Sequence, residues 1–519
     1  MYVLALGLAG LAAPALAQTA NPTVQQQIDN LQRQLDALKA QQQLTAPTAG
    51  SVQAPAAGSA PTSTAGSVTA PAASSVAQAP TPRGTIQVGG VNLTFGGFIE
   101  AAGIYRSRNE VSDVASDFNT GLNFKNIVQT HEQEVRGSAR QSRVSGLVSG
   151  DIDAYTHVAG YIETDFLSSG TNSNSRESNS FVPRLRHGYA TLDFDNIGFH
   201  VLAGQSWSLL TTNTSGIRPR SEQIPLTIDA QYVPGFNWTR NPQARFVESF
   251  GGGLWAGISF EEPQGVLSPG FTANGNGTAV GTPNANNNGD SAGLLNNTTQ
   301  FTNDLIPDIV AKVAFDPGFG HYELKGIGRM FTDRDLGTTH AIWGYGVGGA
   351  ATVPAIPKFL DVQVSGLAGY GIGRYGSGQL PDAALSANGV SLVAVPVVQG
   401  LVGLIGHPVP GLDVYTYGGW EHADRAHGGN RSAAGYGFGG LNNVGCNTEG
   451  AAAATCQAQT KDIIQGTAGF WNDLFKGTYG RVVLGLQYSY TQRLAFAGIG
   501  GNPSVAENIG MISFRYYPF

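Results

Sequence analysis

The sequence is poor in charge. Asp, Glu, Lys and Arg make up only 13% of its 519 residues, about half the usual share, and a water-soluble globule of this size would need more. Its two cysteines exclude a disulfide-dense scaffold and a cysteine-rich metal module. After the first residues no run reaches the roughly 18 apolar positions a helical membrane span requires. A formal net charge of −7 excludes a generally basic nucleic-acid binder. The nine histidines show no metal-ligand spacing, and no cofactor motif emerges. In place of these the chain carries 72 glycines and 41% apolar residues spread without long runs. That balance suits an all-β transmembrane barrel, whose strands alternate lipid-facing and lumen-facing side chains. A large β-solenoid or sandwich is the competing class.

The organisation divides into four parts. Residues 1–17 form an apolar segment, Tyr2 to Ala17, ending Ala15-Leu16-Ala17 before Gln18, and predict a signal peptide, although no Lys or Arg precedes it. Residues 18–44 place Val24, Ile28, Leu31, Leu35 and Leu38 at alternating spacings of four and three, an a/d seam that predicts a short self-associating coiled-coil helix in the periplasm. Residues 45–84 are a linker of Ala, Pro, Ser, Thr and Gly that lacks the means to bury a core. Residues 85–519 read as period-two segments between turn residues, alternating short turns such as Asp195-Asn196-Ile197 with long polar loops at 107–134, 210–236, 263–304 and 423–458. This predicts an antiparallel barrel of about sixteen strands in a bacterial outer membrane, in contact with lipid and lipopolysaccharide, both barrel ends lying on the short-turn side. The faces separate within strands: Val482, Leu484, Leu486, Tyr488 and Tyr490 on one, Val483, Gly485, Gln487, Ser489 and Thr491 on the other. The terminal Phe519 suits a barrel's closing strand, yet its parity with Tyr517, Arg515 and Ser513 requires a shift near Pro518.

Catalytic motifs are weak. Gly289-Asp290-Ser291-Ala292-Gly293 matches a nucleophile pattern but lies in an Asn/Gly-rich stretch, without the strand and helix that an elbow needs. No enzyme activity is expected. Cys446 and Cys456, an even pair in an exported chain, predict a disulfide closing a short loop.

Between residues 131 and 250 the basic residues are all arginine, among them Arg143, Arg184, Arg186, Arg218, Arg220 and Arg245. Guanidinium binds carboxylate in a planar two-point fashion. Carboxylates including Glu163, Asp165, Glu222 and Asp229 occupy the same stretch. Either the two signs segregate across the lumen as a basic ladder and an acidic wall, or they pair locally and hold strands together. Arg143 opposes Val144 and Arg245 opposes Phe246, which places both inward; Arg184 and Arg186 share a face with Leu192 and Phe194, which demands a bulge near Gly188.

The heptad-plus-linker leader, VNLTFGGFIEAAGIYRS (91–107), RQSRVSGLVSG (140–150), YIETDF (161–166), RLRHGYATL (184–192), LAGQSWSLL (202–210) and NPQARF (241–246) together resemble the DcaP-like trimeric outer-membrane porins, most densely from about 90 to 250. The resemblance implies a homotrimer that passes small anions of dicarboxylate type, with Arg143, Arg184, Arg186 and Arg245 on the pore wall; strand alternation puts Glu163 and Asp165 on the lumen face if Val158, Gly160, Ile162 and Phe166 face lipid. By strand count the 210–236 loop is the third outward one, which in general porins narrows the lumen. It brings Arg218, Arg220, Glu222 and Asp229 as constriction candidates, stiffened by Pro219, Pro225 and Pro234; a loop lying over the mouth is the alternative. A structural alternative is a barrel tethering the outer membrane to the cell wall through its coiled-coil leader.

Overall fold

The computed structural model describes residues 84–110, 112–167, 181–268, 304–335, 338–385, 392–426 and 435–519. The expected signal peptide, coiled coil and linker, and the Gly289–Gly293 motif, lie outside them.

Alternating apolar and polar residues, rich in Val, Ile, Tyr and Gly, form wall strands wherever the run is long enough. In chain order they are β1 (Val91–Arg106), β2 (Glu134–Ser138 with Arg143–Asp151), β3 (Thr156–Asp165), β4 (Arg184–Phe194), β5 (Phe199–Trp207), β6 (Arg240–Gly251), β7 (Leu254–Glu261) and β8 (Asp308–Phe315). They continue as β9 (His321–Asp335), β10 (Thr338–Ile356), β11 (Leu360–Tyr370), β12 (Pro396–Val409), β13 (Leu412–Ala423), β14 (Thr460–Gly477), β15 (Gly480–Ala495) and β16 (Ser504–Tyr517). Each pairs antiparallel with its sequence neighbour, and β1 pairs with β16 from Ile99↔Tyr516 to Arg106↔Ile509, closing a 16-strand barrel.

Two wall positions are composite. The upper half of β1 pairs with Glu134–Ser138 and the lower half with Arg143–Asp151, so an interruption at 139–142 splits β2. The lower end of β1 also pairs with a short strand, Thr85–Val88, which fills the place below the end of β16. Phe519 packs its ring 6.1 Å from Phe95 there. Tyr517 turns inward against Phe98 while Phe519 is exposed, so the parity shift falls at Pro518.

The short connections, such as 252–253 and 410–411, share one end, and the long loops share the other. Three strands run well into the short-turn end: β10 includes Pro354, β12 includes Pro408 and β14 includes 472–477. Outward residues such as Val144, Ile162, Leu324, Val347, Tyr488 and Phe514 are apolar and exposed around the circumference. An apolar belt of that extent belongs in lipid. Inward residues such as Gln363, Gln487 and Ser489 are buried because loops fill much of the lumen. Leu209, Leu210 and Ile217 of the third loop pack with Trp255, Val310 and Ile327 of the wall. Further along the same loop, Ile228, Tyr232, Val233 and Phe236 pack with Leu401, Tyr415, Tyr417 and Trp471.

Candidate functional site

The third loop, residues 208–239, enters the lumen and is fastened to the wall along its length. At its base Ser208 N donates to Thr239 O at 2.9 Å. Two buried lysines then grip both legs. Lys312 Nζ donates to Thr211 O (2.6 Å), Asn213 Oδ1 (3.0 Å) and Glu323 (2.9 Å). Lys325 Nζ donates to Leu210 O (2.6 Å) and Asn237 Oδ1 (2.8 Å). The loop descends until Gly216 N meets Asp316 of the β8–β9 turn at 2.8 Å. It then crosses to the opposite wall, where Leu226 N donates to Tyr417 OH (3.1 Å), Trp471 Nε1 donates to Leu226 O (2.6 Å) and Ile228 N donates to Gln487 Oε1 (2.6 Å). Glu421 closes the return leg, accepting from Gly235 N (2.7 Å) and from Gly378 N of the loop between β11 and β12 (2.8 Å). Gly235 has φ +85°, and a Cβ there would stand 2.1 Å from Gly400 O, so only glycine lets the backbone come this close.

Between this loop and the β2–β5 wall lies a cavity of about 200 Å³, the candidate constriction. The wall supplies Arg143, Tyr161, Glu163, Arg186, His187, Tyr189, Ser206 and Trp207; the loop supplies Arg220, Glu222, Ile224 and Tyr232. Arg220 and Tyr232 carry the non-glycine positive φ values of 65° and 69°. Both strained residues aim side chains into the cavity, a conformation that the loop's anchors enforce. The Arg220 guanidinium donates to Tyr189 OH at 3.3 Å and lies 5.6 Å from the Tyr161 ring centre. Rings line much of the opening: Tyr161 and Tyr189 lie 5.5 Å apart, His187 and Trp207 5.9 Å, Trp207 and Tyr232 6.2 Å.

The bulge that the arginine parity required is present. His187 pairs with Glu163 but Leu185 pairs with Thr164, leaving Arg186 as the extra residue. Arg186 and His187 therefore both point inward, and Leu192 and Phe194 are returned to the outer face. The charges are not sorted into a basic ladder and a separate acidic wall. Asp165 takes a two-point contact from Arg184 (2.9 and 2.8 Å) and a third from Arg186 (2.9 Å). Glu163 accepts from Arg186 Nε and lies 4.0 Å from Arg143. Arg143, Arg186 and Arg220 nevertheless face the cavity against two carboxylates, Glu163 and Glu222. Arg143 Nε, His187 Nδ1 and Ser206 Oγ are buried at its edge without a protein partner, the kind of donor set a passing anion or water would meet.

The remaining sequence candidates sit elsewhere. Arg245 is inward but covered by the third loop, donating to Gln243 Oε1 at 3.0 Å and to Trp207 O. Arg218 stacks 4.9 Å from Trp255, below the constriction. Asp229 accepts from Ser116 N of the first loop at 3.1 Å and is a buried fastener, outside the cavity lining. Burial pushes the carboxyls of Glu222 and Asp229 upward. Burial alone would raise the Tyr232 phenol, but Arg186, Arg143 and Arg240 outweigh it and bring it down to about 8. Cys446 and Cys456 form a disulfide within the loop between β13 and β14. Above the constriction a vestibule of about 700 Å³ opens among Ser116–Thr120, Ser377–Gln379, Tyr436, Gln459 and Arg493.

No family model and no curated protein matches this chain. Among solved structures, the outer membrane channel DcaP of Acinetobacter baumannii aligns over 82% of this chain and 97% of its own, with a TM-score of 0.59 and 18% identity. OmpF of Salmonella typhi covers 83% of this chain and 99% of its own (TM-score 0.44, 11% identity). An anion-selective porin from Comamonas acidovorans covers 82% and 99% (TM-score 0.41, 12% identity). At 18% identity the likeness to the DcaP channel is one of fold: an antiparallel outer-membrane barrel.

Proposed function

We propose that this chain is an anion-preferring diffusion porin of the bacterial outer membrane, passing small hydrophilic solutes of the dicarboxylate type. The observation that carries the reading is the convergence of Arg143, Arg186 and Arg220 on the 200 Å³ constriction between the third loop and the wall. A pore selects by the charge at its narrowest point, and guanidinium offers carboxylate a paired-donor contact. Glu163 and Asp165 hold Arg186 and Arg184 in place, leaving Arg143 and Arg220 as the most available donors. Passage is passive; the wall binds a solute weakly and releases it, with no chemistry at the constriction.

The resemblance extends the reading to a homotrimer whose residues 18–44 form a periplasmic coiled coil behind a cleaved leader. Purified protein in a planar bilayer under a salt gradient is expected to give an anion-favouring reversal potential, and a clear cation preference overturns the reading. Removing residues 18–84 is expected to lower trimer yield on native gels while leaving single-channel conductance intact.

A further inference from the structure

We propose that the short-turn mouth of the barrel is a second selectivity filter, a ring of histidine–carboxylate pairs whose charge is set by proton binding. Three histidines stand at that end, two of them on either side of β4 and the third on β12. His157, near the start of β3, contacts Asp151 of β2 (2.6 Å) and Asp195 of the β4–β5 turn (3.2 Å). His200, near the start of β5, contacts Asp193 of β4 at 2.7 Å. His407, near the end of β12, contacts Asp413 of β13 (2.6 Å) and Asp361 of β11 (3.4 Å).

All face the lumen. His200 stacks 5.7 Å from Trp255, which packs against Ile217 of the third loop. Asp193 joins the two neighbours, bonding His200 and standing opposite His157 in the register. Asp361 is two residues from Gln363, which bonds the third loop, and Asp413 is two residues from the buried Tyr415. His157 and His407 retain about a third of their side-chain surface, at 37% and 33%. A fourth histidine, His321, pairs with Asp316 and Glu323 but is only 2% exposed and belongs to the anchor of the third loop with Lys312.

The other charged groups near the ring are Asp153 in the β2–β3 turn, Arg218 on the far side of Trp255, Lys358 in the β10–β11 turn, and Asp473 with its partner Arg481 on β14 and β15. With neutral imidazoles the three histidines sit among five carboxylates: Asp151, Asp193, Asp195, Asp361 and Asp413. Each imidazole that binds a proton offsets one of those five negative charges. A carboxylate contact favours the protonated imidazole, so the mouth gains positive charge as the pH falls. An anion leaving the candidate constriction therefore meets a mouth that repels it while the imidazoles are neutral and less so once they bind protons. This ring lies apart from the constriction residues, so its behaviour stands independently of the anion-porin reading.

The test is the reversal potential of the purified full-length channel in a planar bilayer under a potassium chloride gradient, from pH 7.5 to 5. The chloride-to-potassium permeability ratio is expected to rise about two- to threefold on acidification, and more at low ionic strength, where screening is weaker. The triple variant His157→Asn, His200→Asn, His407→Asn is expected to lose that response while keeping its conductance. A triple variant with the full response, or a wild-type channel with none, overturns the proposal. If the triple variant yields no folded channel, His407→Asn alone decides: a partial loss of the response supports the ring and an undiminished one overturns it. A cation-preferring wild-type channel that still responds through these histidines overturns the anion reading of the constriction and supports the ring.

Discussion

At the scale of single residues, the constriction combines groups that the sequence displays singly. Arg143 and Arg186 were legible as inward arginines, Arg186 only on condition of a bulge, because strand parity follows from period two and a single extra residue inverts it. Tyr161, His187, Tyr189, Trp207 and Tyr232 were not legible as site residues. They lie on three strands and a loop, and only the barrel's curvature brings their rings together. Arg143→Ala and Arg220→Ala are each expected to reduce the chloride-to-potassium permeability ratio about two- to fivefold and to weaken block by succinate; unchanged block assigns them a structural role. Tyr232 provides a separate alkaline signature. Raising the pH through about 8 ionises its phenol and adds one negative charge at the constriction. Anion preference is therefore expected to fall between pH 7.5 and 9.5, and Tyr232→Phe is expected to abolish that fall.

At the scale of elements, the third loop acts as a built part of the wall. Its length and prolines marked it in the sequence, but its anchors did not stand out. Lys312 and Lys325 occupy inward strand positions, and what sets them apart is the cover the loop itself provides. Removing one buried partner leaves the others unsatisfied at a cost of roughly 1–3 kcal/mol. Lys325→Met would free Leu210 O and Asn237 Oδ1, and is expected to raise single-channel conductance and current noise while the barrel remains folded by gel shift. Arg245 shows the same lesson in reverse: parity places it inward, yet the loop conceals it. In the outer loops, the Cys446–Cys456 bridge holds a segment packed on Leu122 and Phe124 of the first loop. Reduction is expected to open that segment to protease without altering the barrel's melting, since the wall hydrogen bonds do not involve it.

At the scale of the whole molecule, the strand order, the sidedness of the loops and the outward apolar belt follow from the alternation along each strand, and all were legible. The composite wall positions were not, because a break at 139–142 and a short strand at 85–88 differ little from turns in a single sequence. The seam between β1 and β16 has a kinetic meaning. It joins Glu100 to Ser513 and Arg515, residues more than four hundred positions apart. The closure entropy of so large a ring grows only slowly with its length, but the ring has no way to shut until its final segment is present. Until then the sheet has two open edges able to pair with another chain. The fourteen residues of β16 are thus the ones that turn a sticky ribbon into a self-contained object, and whatever escorts the chain must shield both edges until they pair with β1.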